Sequence, residues 1–409
     1  MNSFTISRVI SLSRIIDIEG LSFDTGAHVL IKEALRPLAV SEVLTITGGA
    51  SGWDISLTAW CRTQGHTVEF DPLSNCATIQ KGAVFAGRWQ GAKQTGHSDT
   101  NTPHAIADEA QATWGLAARG ATVEAGAPQW SFRLNQKAQV WTHNAAQLYT
   151  QAVDAQWNPD EAIDWRQPCE LPAAIEAAVV QVMTYMVENE NAALIVPAKF
   201  LGQLHPHFRE IQALLAIQVA DEARHIEVFT RRIRLKGHEP ALSTVGGQAS
   251  LKTLVDEPDF SLAAFLLSVL GEGTFVNLLN FLHECAPDPI TRQIARLAAI
   301  DESRHVAFGM AHLAYHLSVE PHLRGRLAMA VETRFDALAG TSGLNEEVFD
   351  ALILLAAGNT APEAIKKGYQ RVQGLMQAMA EGRKARLLKL GFTAQEATRL
   401  SSLHTRNFM

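Results

Sequence analysis

Two near-identical pentapeptides hold the residues of this chain best suited to chemistry. Asp221-Glu222-Ala223-Arg224-His225 and Asp301-Glu302-Ser303-Arg304-His305 differ only at the middle residue and lie 80 positions apart (301 − 221). Each sits in a stretch that reads as helix, Ile211 to Ile233 and Ile290 to Leu317, rich in Ala, Leu, Ile and Arg, with Gly309 as the one weak spot. Residues three apart share a helix face. Glu222 therefore points with His225, and Glu302 with His305. A carboxylate oxygen beside an imidazole nitrogen makes half of a metal site. One such pair would be an ordinary solvated surface. Two copies, each opened by Asp and carrying Arg before the His, are poorly explained by surface charge.

An inward Glu-x-x-His from two helices, with one Glu from each of two others, is the bundle arrangement that holds two metal ions. It demands a carboxylate on a helix ahead of each motif. In the run Ser261 to Leu282 that residue is Glu272, the only charge between Phe260 and His283, and a lone carboxylate there is costly unless paired or metal-bound. In the run Ala173 to Leu194 the candidates are Glu188 and Glu190. Glu272 precedes Glu302 by 30 (302 − 272), Glu190 precedes Glu222 by 32 (222 − 190) and Glu188 by 34 (222 − 188). Such gaps suit antiparallel helix pairs joined by short turns. Glu190 is preferred, because small Ala192 and Ala193 follow it where neighbouring helices must approach, and Glu188, expected as an exposed residue, stays open as the alternative. The expected ligands are Glu190, Glu222, His225, Glu272, Glu302 and His305. Four carboxylates and two neutral imidazoles carry −4, which balances two divalent ions.

This constellation resembles the ferritin-like dimetal superfamily over residues 105 to 345, with bacterial multicomponent monooxygenases, arylamine N-oxygenases and ribonucleotide reductase small subunits as the nearest kin. The resemblance implies two iron ions, or a manganese–iron pair, with dioxygen as co-substrate. It implies that Glu222 and Glu302 bridge the metals at the catalytic centre, that Glu190 and Glu272 are terminal, and that Asp221 and Asp301 accept from the imidazole of the opposite motif. Arg224 and Arg304 are expected to hold those aspartates. The expected function is a dioxygen-activating oxidoreductase, a monooxygenase or oxidase of a small organic substrate, supplied by an external electron donor such as a ferredoxin or reductase and assembled as a homodimer. The alternatives are a ferritin-like storage protein and a radical-generating reductase subunit. Reductase subunits usually keep a tyrosine where this chain has Phe229, one turn past His225, which disfavours the latter. Additional helices and an N-terminal module argue against bare storage. Met186, Ala193, Leu215, Phe229, Phe275 and Phe308 are expected to face the metals.

The elements that must position these residues give a mainly α chain: a ferritin-like four-helix bundle with extra helices, preceded by a small α+β two-layer sandwich of order β-α-β-α-β-β. The expected boundaries are 1–88 for the sandwich, 89–104 for a linker, 105–345 for the dimetal domain and 346–409 for a helical extension. In the sandwich, strands are expected at Ile6–Ile18, Ser41–Thr47, His66–Phe70 and Ala77–Phe85, and helices at Thr25–Arg36, with Val29, Leu30, Ala34 and Leu35 inward, and Trp53–Thr63. Its layout is similar to the small sulfur-carrier proteins of the TusA/SirA type. Those carriers place a Cys-Pro-x-Pro at the mouth of the first helix, where this chain reads Ser22-Phe23-Asp24-Thr25-Gly26, so sulfur carriage is not expected. A docking or dimerising module that has lost its chemistry is the expected role. Cys61, mid-helix, is expected to be buried.

Further along, helices are expected at Ala105–Leu116 and Gln136–Asp154, with a helix break at Trp157–Trp165 that forms either a packed loop or part of an electron path. Pro197 should kink or end its helix. His205 and His207 should be surface turn residues, and a loop should run from Lys236 to Pro258. Four more helices are expected: Leu323–Leu338, Glu346–Ala357, Ala361–Met379 and Ala394–Leu403. Hydrophobic residues make up 47% and charged residues 19% of 409, enough apolar material for a large core. The net charge of −7 disfavours nucleic acid or an anionic membrane as a partner. No secretory signal is expected at Met1-Asn2-Ser3-Phe4, no uninterrupted apolar run approaches the length of a membrane span, so none is expected, and four scattered cysteines suit a reducing, cytoplasmic setting.

Overall fold

In the computed structural model, residues 14–71, 73–85, 87, 89–339 and 346–403 are described. The chain divides into two compact units. The first takes the described residues up to Thr95 together with Gly120–Pro128. The second takes Gly96–Arg119 and the described residues from Gln129 onward.

In the first unit the strands are β1 (Arg14–Asp17), β2 (Val43–Thr47), β3 (Thr67–Asp71) and β4 (Cys76–Gln80), and the helices are α1 (Ala27–Leu35) and α2 (Trp53–Gln64). The sheet order is β1-β2-β4-β3. β1 and β2 are parallel, with Arg14 opposite Leu44, because α1 carries the chain back across the sheet. β4 runs antiparallel to β2 and β3, with Val43 and Thr67 both opposite Gln80. The order β-α-β-α-β-β is therefore present, with β2 and β4 shorter than the residue pattern suggests and β3 shifted by one residue. Positions before Arg14 in the expected first strand lie outside the described residues. Alternation puts Leu44, Ile46, Ala77 and Ile79 on the buried face. They meet Ile31, Leu35, Leu57 and Cys61 of the two helices. One expectation fails here: α1 buries Ala27, Ile31 and Leu35, while Val29 and Leu30 are exposed. The four-residue repeat of the buried set wins over the apolar pair.

The expected linker is not bare. β5 (Lys93–Gln94) pairs antiparallel with β6 (Thr122–Val123), both within the first unit. Nor is Ala105–Leu116 a helix: it holds one 3-10 turn at Ala112–Trp114, ended by Gly115, whose φ of +47° and contact with the Trp130 indole leave no room for a side chain. The expected helix at Gln136–Asp154 is two, α3 (Lys137–Val140) and α4 (Ala145–Asp154), and Pro159–Ala162 forms the single turn α5.

Four long helical stretches form the centre of the second unit: α6 (Ala173–Leu201), α7 (Arg209–Arg234), the run from α9 (Phe260–Ala264) through α10 (Gly273–Cys285), and α11 (Pro289–Val319). α6 packs along α7, and α10 along α11. Pro197 does not end α6, which continues to Leu201. Asp288 caps α11 by accepting from the Thr291 N–H, with Pro289 at the first helical position. Arg232 locks three of these elements together. Fully buried on α7, it donates to both oxygens of Glu176 at 2.7 and 3.0 Å, to Asp288 Oδ2 and to Thr291 Oγ1, each at 3.1 Å. The expected loop at Lys236–Pro258 contains α8 (Val245–Val255), whose N-cap Thr244 accepts from Gly247. α12 (Leu323–Ala339), α13 (Glu346–Ala357), α14 (Pro362–Lys389) and α15 (Ala394–Ser402) follow. α13 lies on α6, and α14 on α10. The unbroken helix Phe260–Cys285 is long and apolar enough to cross a membrane, and 78% of its apolar window is buried within the protein.

Candidate metal centre

Between α9 and α10 the backbone is wound as π-helix over Phe265–Glu272. Nothing in the apolar run Ser261 to Leu282 marks it. Such segments recur at functional sites, because the wider turn re-aims side chains. Here it ends on Glu272. Gly309 of α11 lies against the same segment, and a Cβ there would meet the Ser268 Cβ at 2.7 Å and Val269 Cγ2 at 3.3 Å. The weak spot in α11 is thus the place where the π-segment comes closest.

All six expected ligands are brought together. Glu190 on α6, Glu222 and His225 on α7, Glu272 at the end of the π-segment, and Glu302 and His305 on α11 are all buried. They form two overlapping groups whose ligand atoms lie within 4.8 Å of one another: Glu190, Glu222, His225 and Glu302, and Glu222, Glu272, Glu302 and His305. Only Glu222 and Glu302 belong to both. His225 Nδ1 lies 3.4 Å from Glu190, 3.2 Å from Glu222 and 3.5 Å from Glu302. His305 Nδ1 lies 3.0 Å from Glu222 and 3.5 Å from Glu302. Glu188 is elsewhere. It is half-buried, and its carboxyl accepts from Ser243 and Gln248. The exposed position expected for it is corrected accordingly.

The imidazoles are oriented from behind. His225 Nε2 donates to Asp301 Oδ2 at 3.1 Å, and His305 Nε2 donates to Asp221 Oδ2 at 3.3 Å. Each Asp thus serves the opposite motif. This places the proton on Nε2 and leaves the Nδ1 lone pair facing the centre. Arg224 ties the two aspartates together, donating to Asp221 at 2.6 Å and to Asp301 at 2.8 Å. Arg304 pairs with Asp301 and reaches Asp221 at 3.8 Å. Two contacts were not foreseen in this form: the Gln156 amide donates to Asp221 at 2.7 Å, and the Trp157 indole N–H donates to Asp301 at 2.8 Å, with the Arg224 guanidinium stacked 4.6 Å over its ring. An indole in a polar loop gives the sequence no mark of a hydrogen-bonding role.

The electrostatics of the centre call for cations. Burial, then the charges of Glu222 and Glu302, pushes the Glu190 carboxyl well above the usual range. Burial, then Glu302, does the same to Glu272. Burial opposes charge on His225 and His305, but Glu190 and Glu222 respectively outweigh it and raise both. Four carboxylates cannot share a dry site unless cations or protons divide them. Both oxygens of Glu190 and of Glu302, one each of Glu222 and Glu272, and His305 Nδ1 are buried with no hydrogen-bond partner. The donor set of four carboxylates and two imidazoles fits a pair of divalent transition metals.

Beside Glu272 is a small apolar cavity of about 20 Å³, lined by Val196, Pro197, Phe200, Leu215, Gln218, Phe260, Ala263, Ala264, Leu267, Ser268 and Phe308. Gln218 on its wall donates to Glu272 at 3.1 Å. Of the six residues expected to face the metals, Leu215 and Phe308 line this cavity. Met186, Ala193, Phe229 and Phe275 are buried, Phe229 with its ring 6.4 Å from that of His225. His205 and His207 are buried, not superficial. His207 Nε2 accepts from the Ala107 N–H at 2.9 Å, and His205 Nδ1 from the His207 N–H at 3.1 Å. They serve the loop, and neither belongs to the metal-competent groups.

No family model and no curated protein matches this chain. Among solved structures it is similar to a variant of an R2-like ligand-binding oxidase with an aerobically reconstituted Fe/Fe cofactor, at 17% identity and a TM-score of 0.51, covering 61% of this chain and 94% of that one. Another variant of that oxidase, with an aerobically reconstituted Mn/Fe cofactor, matches at 17% identity and a TM-score of 0.45 over 63% and 94%. A Synechococcus protein with aldehyde deformylating oxidase activity matches at 19% identity and a TM-score of 0.40 over 56% and 96%. At these identities the likeness concerns the fold, a ferritin-like helical bundle, here preceded by the small α+β unit.

Proposed function

We propose that this chain is a dimetal oxidoreductase that activates dioxygen, working as an oxidase or monooxygenase on a small organic substrate. The observation that carries the reading is the pair of overlapping ligand groups sharing Glu222 and Glu302, with unsatisfied buried oxygens on all four glutamates. Fe/Fe and Mn/Fe cofactors in the oxidases that share the fold support the same identity for the metals here. Glu190, Glu222, His225, Glu272, Glu302 and His305 would hold two such ions, which would supply the electrons that reduce dioxygen.

The protein's own residues do the rest. Asp221 and Asp301 fix both imidazoles in one tautomer and make them better donors. Gln218 fixes one oxygen of Glu272. The largely apolar cavity that Gln218 borders leaves a small space near Glu272. Trp157, hydrogen-bonded to Asp301 and through it to His225, offers a connected route for electrons from an external donor. Phe229 has no hydroxyl to hold a radical, which supports the oxidase reading over a reductase-type radical generator.

We read the first unit as a TusA/SirA-type fold that has lost its chemistry. Ser22 and Thr25 cap each other where a carrier thiol would stand. Burial pushes the Cys61 thiol up to about 12, which leaves it inert. The test of the main reading is anaerobic loading with ferrous iron followed by exposure to air. Oxygen uptake by the wild type, lost in Glu222→Ala, supports it; uptake unchanged in that variant refutes it.

A further inference from the structure

α14 carries a buried arginine, Arg383, and a half-buried one, Arg386, whose inward edges no acidic group among the described residues answers. Arg383 is 8% exposed, and its Nε and Nη2 are buried with no hydrogen-bond partner. Arg386, three residues on and on the same face, has the same two atoms buried and unpartnered. Nε carries one N–H and Nη2 two, so each guanidinium presents its whole side edge, three donors, to nothing. Burial lowers both pKa values to about 10, and the charge of Arg383 depresses that of Arg386 further. Other buried arginines of this unit are answered: Arg119 by Glu210, Arg232 by Glu176 and Asp288. Among the described residues no carboxylate pairs with Arg383 or Arg386. A buried cation without a partner is costly, and Arg does not shed its charge to escape the cost.

The neighbouring backbone makes room for them. A Cβ on Gly273, the residue after Glu272, would lie 2.5 Å from Arg386 Cζ and Nε. A Cβ on Gly382 would lie 3.1 Å from Arg386 Nη1 and 3.4 Å from Asn277 Oδ1. Both glycines stand inside helices, where glycine is less favourable than alanine. They let the Arg386 guanidinium approach α10 closely, next to a proposed metal ligand.

We propose that Arg383 and Arg386 form an oxyanion site between α14 and α10, which receives the carboxylate or phosphate group of a small molecule. The Nε/Nη2 edge of arginine matches the two oxygens of such a group in a bidentate pair. Both edges are buried within one chain, which suits a small ligand rather than a protein surface. The site requires nothing of the metal chemistry and stands or falls separately from it.

Thermal unfolding of the metal-loaded full chain, with inorganic phosphate or acetate against chloride at matched ionic strength, tests this. One of the two anions should raise the Tm progressively, and the tighter one names the group. Arg383→Gln and Arg386→Gln should each weaken that response at least about tenfold, with unchanged metal content, and Arg386→Lys should fall between, because it keeps charge but loses the fork. Without added anion the Gln variants should be no less stable than the wild type, since a costly unpaired charge is gone. No response of the wild type to either anion up to about 50 mM overturns the proposal without any variant. A response that persists undiminished in both Gln variants also overturns it and places the anion elsewhere, the metal centre included.

Discussion

Glu188 and Glu190 stand two residues apart, about 200° around a helix, and only one can face the centre. Sequence spacing favoured Glu190, and the geometry places it among the ligand groups with Glu188 held by Ser243 and Gln248. Glu190→Ala should therefore lose at least one metal and stop oxygen uptake. Glu188→Ala should keep both metals and cost about 1 kcal/mol, the worth of its hydrogen bonds. Elemental analysis and denaturant unfolding of the two variants check this, and metal loss in Glu188→Ala alone would reverse the assignment. The six convergent residues were legible because Glu-x-x-His repeats at helical spacing and a lone charge in an apolar run, Glu272, needs a reason. Trp157 and Gln156 were not legible as partners of the aspartates. Their role depends on where a loop after α4 passes, and nothing local encodes that. Arg383 and Arg386 carry no mark in the sequence, because burial of α14 against α10 cannot be read from α14 itself.

α7, α11 and the run from α9 through α10 lie where their residue patterns put them to within about three positions, while α6 runs on past Leu194 to Leu201. The departures have local causes. Helical composition at Ala105–Leu116 loses to the Gly115 turn packed on Trp130, and the expected loop before Pro258 yields α8 because Thr244 supplies a cap that outweighs Gly246 and Gly247. The π-segment could not be read, since apolar composition does not distinguish a five-residue from a four-residue hydrogen-bond step. It sets a prediction: Gly309→Ala should push on Ser268 and Val269 and destabilise the protein by roughly 1–3 kcal/mol, the usual cost of overpacking. Urea unfolding measures it. A variant as stable as the wild type would show that the π-segment yields easily.

Across the molecule, the division into two units makes a prediction about separability. All six ligands lie in the second unit, so a chain starting at Gly96 should keep its helix content and its metal, as judged by circular dichroism and elemental analysis. A folded but metal-free product would make the first unit part of the site. The pH response follows from histidines buried neutral. Burial, helped at His207 by Arg119, brings His207 and His312 down to about 4. The unfolded chain then binds more protons than the folded one between the ordinary value of 6.5 and about 4. Stability from these groups is complete above 6.5 and lost as pH falls through that window, by about 3 kcal/mol for each. His207→Gln should flatten that slope in urea unfolding between the two pH values, and an unchanged slope would show that His207 does not titrate there. The central claim is the pair of metals bridged by Glu222 and Glu302. Its most direct measurement is the transition-metal content of purified protein after iron loading, wild type beside Glu222→Ala/Glu302→Ala. Close to two metals per chain are expected in the wild type and none held tightly in the double variant; two tightly held metals in the double variant, or none in the wild type, would rule out the bridged pair.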